Sequence, residues 1–236
     1  MTIKLQTGLS PMISGGATAS NTELSEPCSV CESRTLAPFM EVEGKLYLRC
    51  GTCQATLMAP GFYLSEQEER AVYQLHDNQP EDPGYRKFLS KLVGPLLAKL
   101  SPGAHGLDFG CGPGPALASM FEEAGHPMSV YDPFFSPERE VLNQAYDFVT
   151  CTEVVEHLHQ PAQVFRQLDA LVKPGGWLGI MTCFQNADDR FATWHYRRDP
   201  THVVFYREET FAWLAAHFGW ELEVPRKDVA LFRKRA

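Results

Sequence analysis

A mixed α/β fold, with a mostly parallel sheet covered by helices on both faces and a small cysteine-rich module in front of it, is the architecture this sequence predicts. Three observations carry it. Short apolar runs alternate with amphipathic stretches from residue 85 onward, and a glycine-rich turn at 107–114 sits where one such run gives way to a helix. Two Cys-x-x-Cys pairs bracket an earlier segment that is too small to have a core of its own. A length of 236 residues accommodates one α/β domain plus an appended unit.

Residues 1–26 are small and polar, with Gly15-Gly16 and no periodic apolar face, and are expected to form a disordered leader. The stretch before Asn21 has one lysine and no compact apolar segment, which argues against a secretory signal. Residues 27–60 form the cysteine module, where the alternation of Leu46 and Leu48 suggests two small hairpins. Residues 61–84 read as a helical linker: Ser65 followed by Glu68 is a capping-box pattern opening a helix to about His76, and an Asn/Pro/Asp/Gly loop follows.

The main domain then occupies 85–236. Phe88, Leu89, Leu92, Val93, Leu96, Leu97 and Leu100 recur at three- and four-residue steps, which makes an amphipathic helix closed by Ser101-Pro102-Gly103. Strands are expected at 106–109, 128–131, 148–151 and 178–182, with helices near 116–124 and 162–172. A helix over 208–218 stops at Gly219, and 221–224 and 229–232 close the domain as strands.

A net charge of -8 opposes loose attachment to phosphate backbones or anionic lipid, so a nucleic-acid partner is disfavoured. The basic tail, with Arg226, Lys227, Arg233, Lys234 and Arg235, reads as the solvated face of a final strand. No run of about 18 apolar residues exists to cross a membrane, and the cytoplasm is the expected compartment.

Small residues at Gly110, Gly112 and Gly114 let backbone approach a ligand while the N–H groups of the following helix face it. Asp132 ends the next strand, where open α/β folds place an acid that accepts from ribose hydroxyls. A Gly-x-Gly-x-x-Gly pattern started at Gly110 would end on Pro115, so a nicotinamide or flavin fingerprint is not met. The spacing Asp108-x-Gly110-x-Gly112-x-Gly114 resembles motif I of the class I S-adenosylmethionine (SAM) dependent methyltransferases. Residues 146–158 look like that family's fourth strand and its turn, and 172–178 like the turn into the fifth. Together the likeness covers about 85–224.

The resemblance implies a Rossmann-like methyltransferase sheet, SAM as cofactor, and Asp108, Gly110, Gly112, Gly114, Asp132 and Glu153 as cofactor-binding residues. One departure is that only 13 residues separate Asp132 from Tyr146. The usual second helix and third strand must be shortened there, and no residue is assigned to the adenine.

Methyl transfer from a sulfonium is an in-line displacement, so the protein supplies alignment and, for a protonated nucleophile, a base. His157 follows the fourth strand and is the first candidate base; the alternative is a buried histidine that orders the turn. His195 and His202 lie in a long connection after the fifth strand and are further catalytic candidates. As a metal set, His195, Asp199 and His202 would need helical spacing that Pro200 makes awkward.

Cys28-x2-Cys31 and Cys50-x2-Cys53, 18 residues apart, fit a tetrahedral four-thiolate zinc site with no open position, hence a structural one. Cys111, Cys151 and Cys183 leave an odd total, which opposes a disulfide framework. The run from Leu48 to Cys53 resembles the knuckle of a zinc ribbon. Two functions follow: methylation of an acceptor, more readily a small molecule than a nucleic acid, or a catalytically silent SAM-fold scaffold whose zinc module holds a partner.

Overall fold

The computed structural model describes residues 26–74 and 79–236, so all but the last residue of the leader expected over 1–26, and the expected helix end near His76, lie outside the described residues. The cysteine module contributes β1 (Leu36–Val42), β2 (Lys45–Cys50) and β3 (Thr56–Met58). β1 and β2 are joined by a tight turn in which Glu43 and Gly44 both take positive φ, and β3 pairs with β2. The two expected hairpins therefore share their middle strand. α1 (Glu66–Tyr73) starts with the Ser65/Glu68 capping box, which satisfies two of the N–H groups that a helix start leaves orphaned.

The main domain runs α2 (Pro83–Leu97), β4 (Gly106–Phe109), α3 (Ala116–Glu123), β5 (Met128–Tyr131), β6 (Tyr146–Thr152), α4 (Pro161–Leu171) and β7 (Val172–Met181). A two-residue strand β8 (Val204–Phe205), α5 (Glu208–Phe218), β9 (Glu221–Arg226) and β10 (Val229–Arg233) complete it. The six-stranded sheet has the order β5-β4-β6-β7-β10-β9. Its first four strands are parallel, and the β9–β10 hairpin adds to β7 antiparallel. Between β5 and β6 only a short 3-10 turn, Arg139–Asn143, stands where a helix and strand would otherwise fit.

One side of the sheet is covered by α2 and α3, whose buried Leu89, Leu92, Leu96 and Phe121 pack on Phe148 and Leu231. On the other side, α4, α5 and the cysteine module share a continuous core. The link between module and domain was not visible in the sequence: β8 pairs with β3, Thr56 opposite Phe205 and Leu57 opposite Val204. The module's Tyr47 stands edge-on to Phe191 at 4.9 Å and to Phe205 at 5.9 Å between ring centres. All three rings are fully buried; each contributes about 1.5–3 kcal/mol of apolar burial, and each ring pair about 0.5–1.5 kcal/mol more. Among the described residues no helix is long and apolar enough to cross a membrane.

Candidate active site

A cleft of about 650 Å³ opens along the carboxyl ends of β4, β5 and β6. That volume is within the range of small-molecule sites. At one end lies the glycine turn. Gly110 and Gly112 take φ of +83° and +65°, the left-handed region that a Cβ disfavours. At Gly110 a Cβ would also come within 2.3 Å of Val154, so no side chain fits there. The backbone thus forms the wall of the cleft at this point, as a cradle for a ligand requires.

Asp132 also lines this end. Its Oδ2 accepts from the Gly112 N–H at 3.1 Å, and its Oδ1 accepts from the N–H groups of Phe134 and Phe135 at 2.8 and 3.1 Å. A carboxylate offers about four acceptor directions, so three backbone donors leave roughly one for a ligand. Asp132 consequently ties the two turns together as well as facing the cleft. Asp108 and Gly114 do not line the cleft. Asp108 is buried beneath the turn, where Thr150 donates to it at 2.8 Å, and burial pushes its carboxyl up to about 7 despite that bond.

The other end is built by the turn after β6 and by the connection 182–206. Glu153 sits at φ +52°, and its N–H donates to the Met181 carbonyl, which turns the side chain toward the cleft wall. The Tyr196 hydroxyl contacts Glu153 Oε2 at 3.1 Å and Glu156 Oε1 at 2.6 Å. A phenol has one proton to donate, so one of these contacts needs a protonated carboxyl. Burial, with the charge of Glu156 adding to it, pushes Glu153 up to about 9; burial raises Glu156 to about 7. Burial also acts to raise Asp199, but the Thr201 hydroxyl and N–H bring it below the usual carboxylate range.

His157 and His202 both line this end, with ring centres 4.6 Å apart. His195 is exposed and does not line the cleft. The three histidines singled out by the sequence are thus not one cluster: two converge, and Glu156 joins them instead of His195. Sequence reasoning passed over Glu156 and Tyr196, although the pattern Glu153-x-x-Glu156-His157 was a signal that could have found the former.

In the module, the four cysteine sulfurs all lie within 4.8 Å of one another, with Cys28–Cys53 at 3.7 Å and Cys31–Cys50 at 3.5 Å. Sulfurs at about 2.3 Å from a tetrahedral zinc are about 3.8 Å apart, so the donor set fits the ion. The N–H groups of Thr52 and Cys53 point at the Cys50 sulfur from 3.4 and 3.5 Å, as a thiolate acceptor requires.

A parallel sheet that ends in a glycine-lined cleft, with an acid closing the second strand, has the form of a class I SAM-dependent methyltransferase. The chain belongs to the family described as Methyltransferase domain, which matches residues 83–223. The ubiquinone biosynthesis O-methyltransferase of Photorhabdus laumondii is 33% identical over 90 residues, 38% of each chain. That of Leptothrix cholodnii is 49% identical over 41 residues, 17% of each chain. The chain therefore spans well under two thirds of these relatives. Among solved structures, Burkholderia thailandensis 1,6-didemethyltoxoflavin-N1-methyltransferase, with bound 1,6-didemethyltoxoflavin and S-adenosylhomocysteine, aligns with TM-score 0.48 and 17% identity over 84% of this chain and 99% of that one.

Proposed function

We propose that the protein transfers the methyl group of SAM to a hydroxyl of a small molecule bound at the histidine end of the cleft. The observation that carries this reading is the Gly110–Gly112 wall, open to ligand backbone-first and faced by Asp132 from the neighbouring strand. In it, Gly110 and Gly112 pass the methionine part of the cofactor, and Asp132 uses its remaining acceptor direction for the ribose. Asp108 and Gly114 shape the turn from behind. Glu153, between the two ends, borders the cofactor and the acceptor. His157 is the first candidate to take the acceptor's proton, with His202 beside it. An oxygen acceptor is supported by the names of the partial relatives, which are O-methyltransferases.

The four cysteines hold a structural zinc in this reading, and the module's task is to brace the connection that carries His202 through the β3–β8 pairing. SAM supplies an already activated methyl group when bound, so what the chain must add is alignment and a proton acceptor. The test is to incubate the purified protein with methyl-tritiated SAM and fractionated cell extract. Label appearing in the low-mass fraction, together with S-adenosylhomocysteine, is the expected result. Label confined to protein or RNA, or no product at all, would overturn the reading.

A further inference from the structure

Glu156, His157 and His202 meet at the inner wall of the cleft, far along the chain from the cysteine module. One ligand-type atom of each lies within 4.8 Å of those of the other two. Glu156 is fully buried; its Oε1 accepts from Tyr196, and its Oε2 has no hydrogen-bond partner. A buried carboxylate oxygen without a donor is rare in folded proteins; the oxygen nearest the histidines is Oε1, which keeps a second acceptor direction beside the Tyr196 hydroxyl.

The histidines are oriented for that task. His157 Nδ1 lies 3.3 Å from the Thr201 carbonyl, and His202 Nδ1 lies 2.7 Å from the Tyr196 carbonyl. A carbonyl can only accept, so both protons sit on Nδ1 and each neutral ring keeps its lone pair on Nε2. An Nδ1–H bonded to a backbone carbonyl is also how imidazole ligands are fixed in metal sites. His157 Nε2 is 3.8 Å from Glu156 Oε1, and His202 Nε2 is 3.9 Å from Asp199 Oδ2. These separations exceed a hydrogen bond, and they approach the roughly 3.0–3.5 Å expected between two ligands each about 2.1 Å from one ion.

We infer that Glu156, His157 and His202 form a second metal site, for a divalent first-row transition ion such as zinc. Two imidazoles and a carboxylate suit such ions better than magnesium or calcium, which take oxygen ligands. His157 and His202 line the cleft and Glu156 stands behind them, so any remaining coordination position faces the space proposed for the acceptor. With the ion in place, His157 holds metal and does not take the acceptor's proton. The inference rests on the histidine end being the acceptor's side of the cleft and replaces the base role of His157 there, and an ion can be counted without any methyl acceptor.

The experiment equilibrates the full chain with zinc, dialyses it, and measures metal per chain alongside X-ray absorption at the zinc edge. Two zinc per chain are expected, with nitrogen and oxygen neighbours near 2.0–2.1 Å in addition to sulfur near 2.3 Å. Glu156→Gln, His157→Gln and His202→Gln should each lose one ion and the nitrogen/oxygen shell. His195→Gln should keep both, which excludes the alternative set of His195, Asp199 and His202. An all-sulfur spectrum for the unaltered protein overturns the site without reference to any variant's folding. So does an unchanged count in folded Glu156→Gln. If His157→Gln loses turnover and keeps every ion, His157 is a base and the metal site is wrong, whereas the methyltransferase reading survives.

Discussion

The two ends of the cleft are made in opposite ways. The glycine end is contiguous: Gly110 and Gly112 follow β4 directly, and one acid from the adjacent strand closes it through backbone N–H groups. The histidine end is assembled by side chains from segments far apart, with Glu156 and His157 after β6, Tyr196 and His202 from the later connection, and β3 of the module holding β8 in place. A ligand that is bound through backbone needs only a local turn. Chemistry that needs several side chains at once depends on long-range packing, and here that packing includes the cysteine module.

If the contrast is right, the largest effect comes from Cys50→Ser/Cys53→Ser. Loss of a four-thiolate zinc removes on the order of 10 kcal/mol of folding free energy in small modules. Hydrogen exchange should show lost protection in β1, β2, β3 and β8 while β4 to β7 keep theirs. Protection that persists at Phe205 would break the proposed dependence of one region on the other.

Next in size is His157→Gln. Turnover should fall by about a hundred- to ten-thousandfold while SAM affinity, measured by calorimetry, changes by less than about threefold. Loss of both together would show that the two ends are not separable. The reverse pattern is expected for Asp132→Ala, which should weaken SAM binding by about 1.5–3 kcal/mol, on the order of ten- to a hundredfold. Unchanged affinity in the folded variant would leave Asp132 with its three backbone donors alone.

The smallest effect is on stability against pH. Glu153 is raised from 4.5 to about 9, so the folded chain keeps a proton that the unfolded chain releases once pH exceeds 4.5. Its contribution is fully present below that value and is lost as pH rises toward about 9. Urea unfolding between roughly pH 6 and 8 should show stability falling on the order of 1 kcal/mol per pH unit more steeply in the unaltered protein than in Glu153→Gln. Equal slopes would place the buried proton elsewhere.

The sequence was most legible where structure is local. Strand β4, strand β5 and helix α5 lie where periodicity and glycine stops put them, because an apolar run bounded by turn residues has few other solutions. The four cysteines and the glycine turn were readable for the same reason, as each is a short spacing with a geometric meaning. β8 was not readable, since a two-residue strand has no periodicity and exists only because β3 is beside it. Glu156 was missed because an acid in a loop ordinarily faces solvent, and only the fold, which brings the Tyr196 hydroxyl onto it, reveals that this one is buried. His195 and His202 look equivalent in sequence; one faces outward and the other inward because Tyr196 and Arg197 between them are buried.

The β3–β8 pairing also sets an order of events during synthesis. Thr56 and Leu57 leave the ribosome long before Phe205 and Val204, their partners, have been made. Until then the fourth strand of the small sheet is absent and the ring of Tyr47 has neither Phe191 nor Phe205 to pack against. Closing so long a loop is entropically costly, so contacts of this separation form late in folding. The cysteine module, although made well before its partner strand, is therefore among the last parts to reach its native surroundings. Pulse-labelled hydrogen exchange during refolding should find the amides of Leu48 and Leu57 protected only after those of β4 and β6, and earlier protection would mean that the nascent module stands without its later partner.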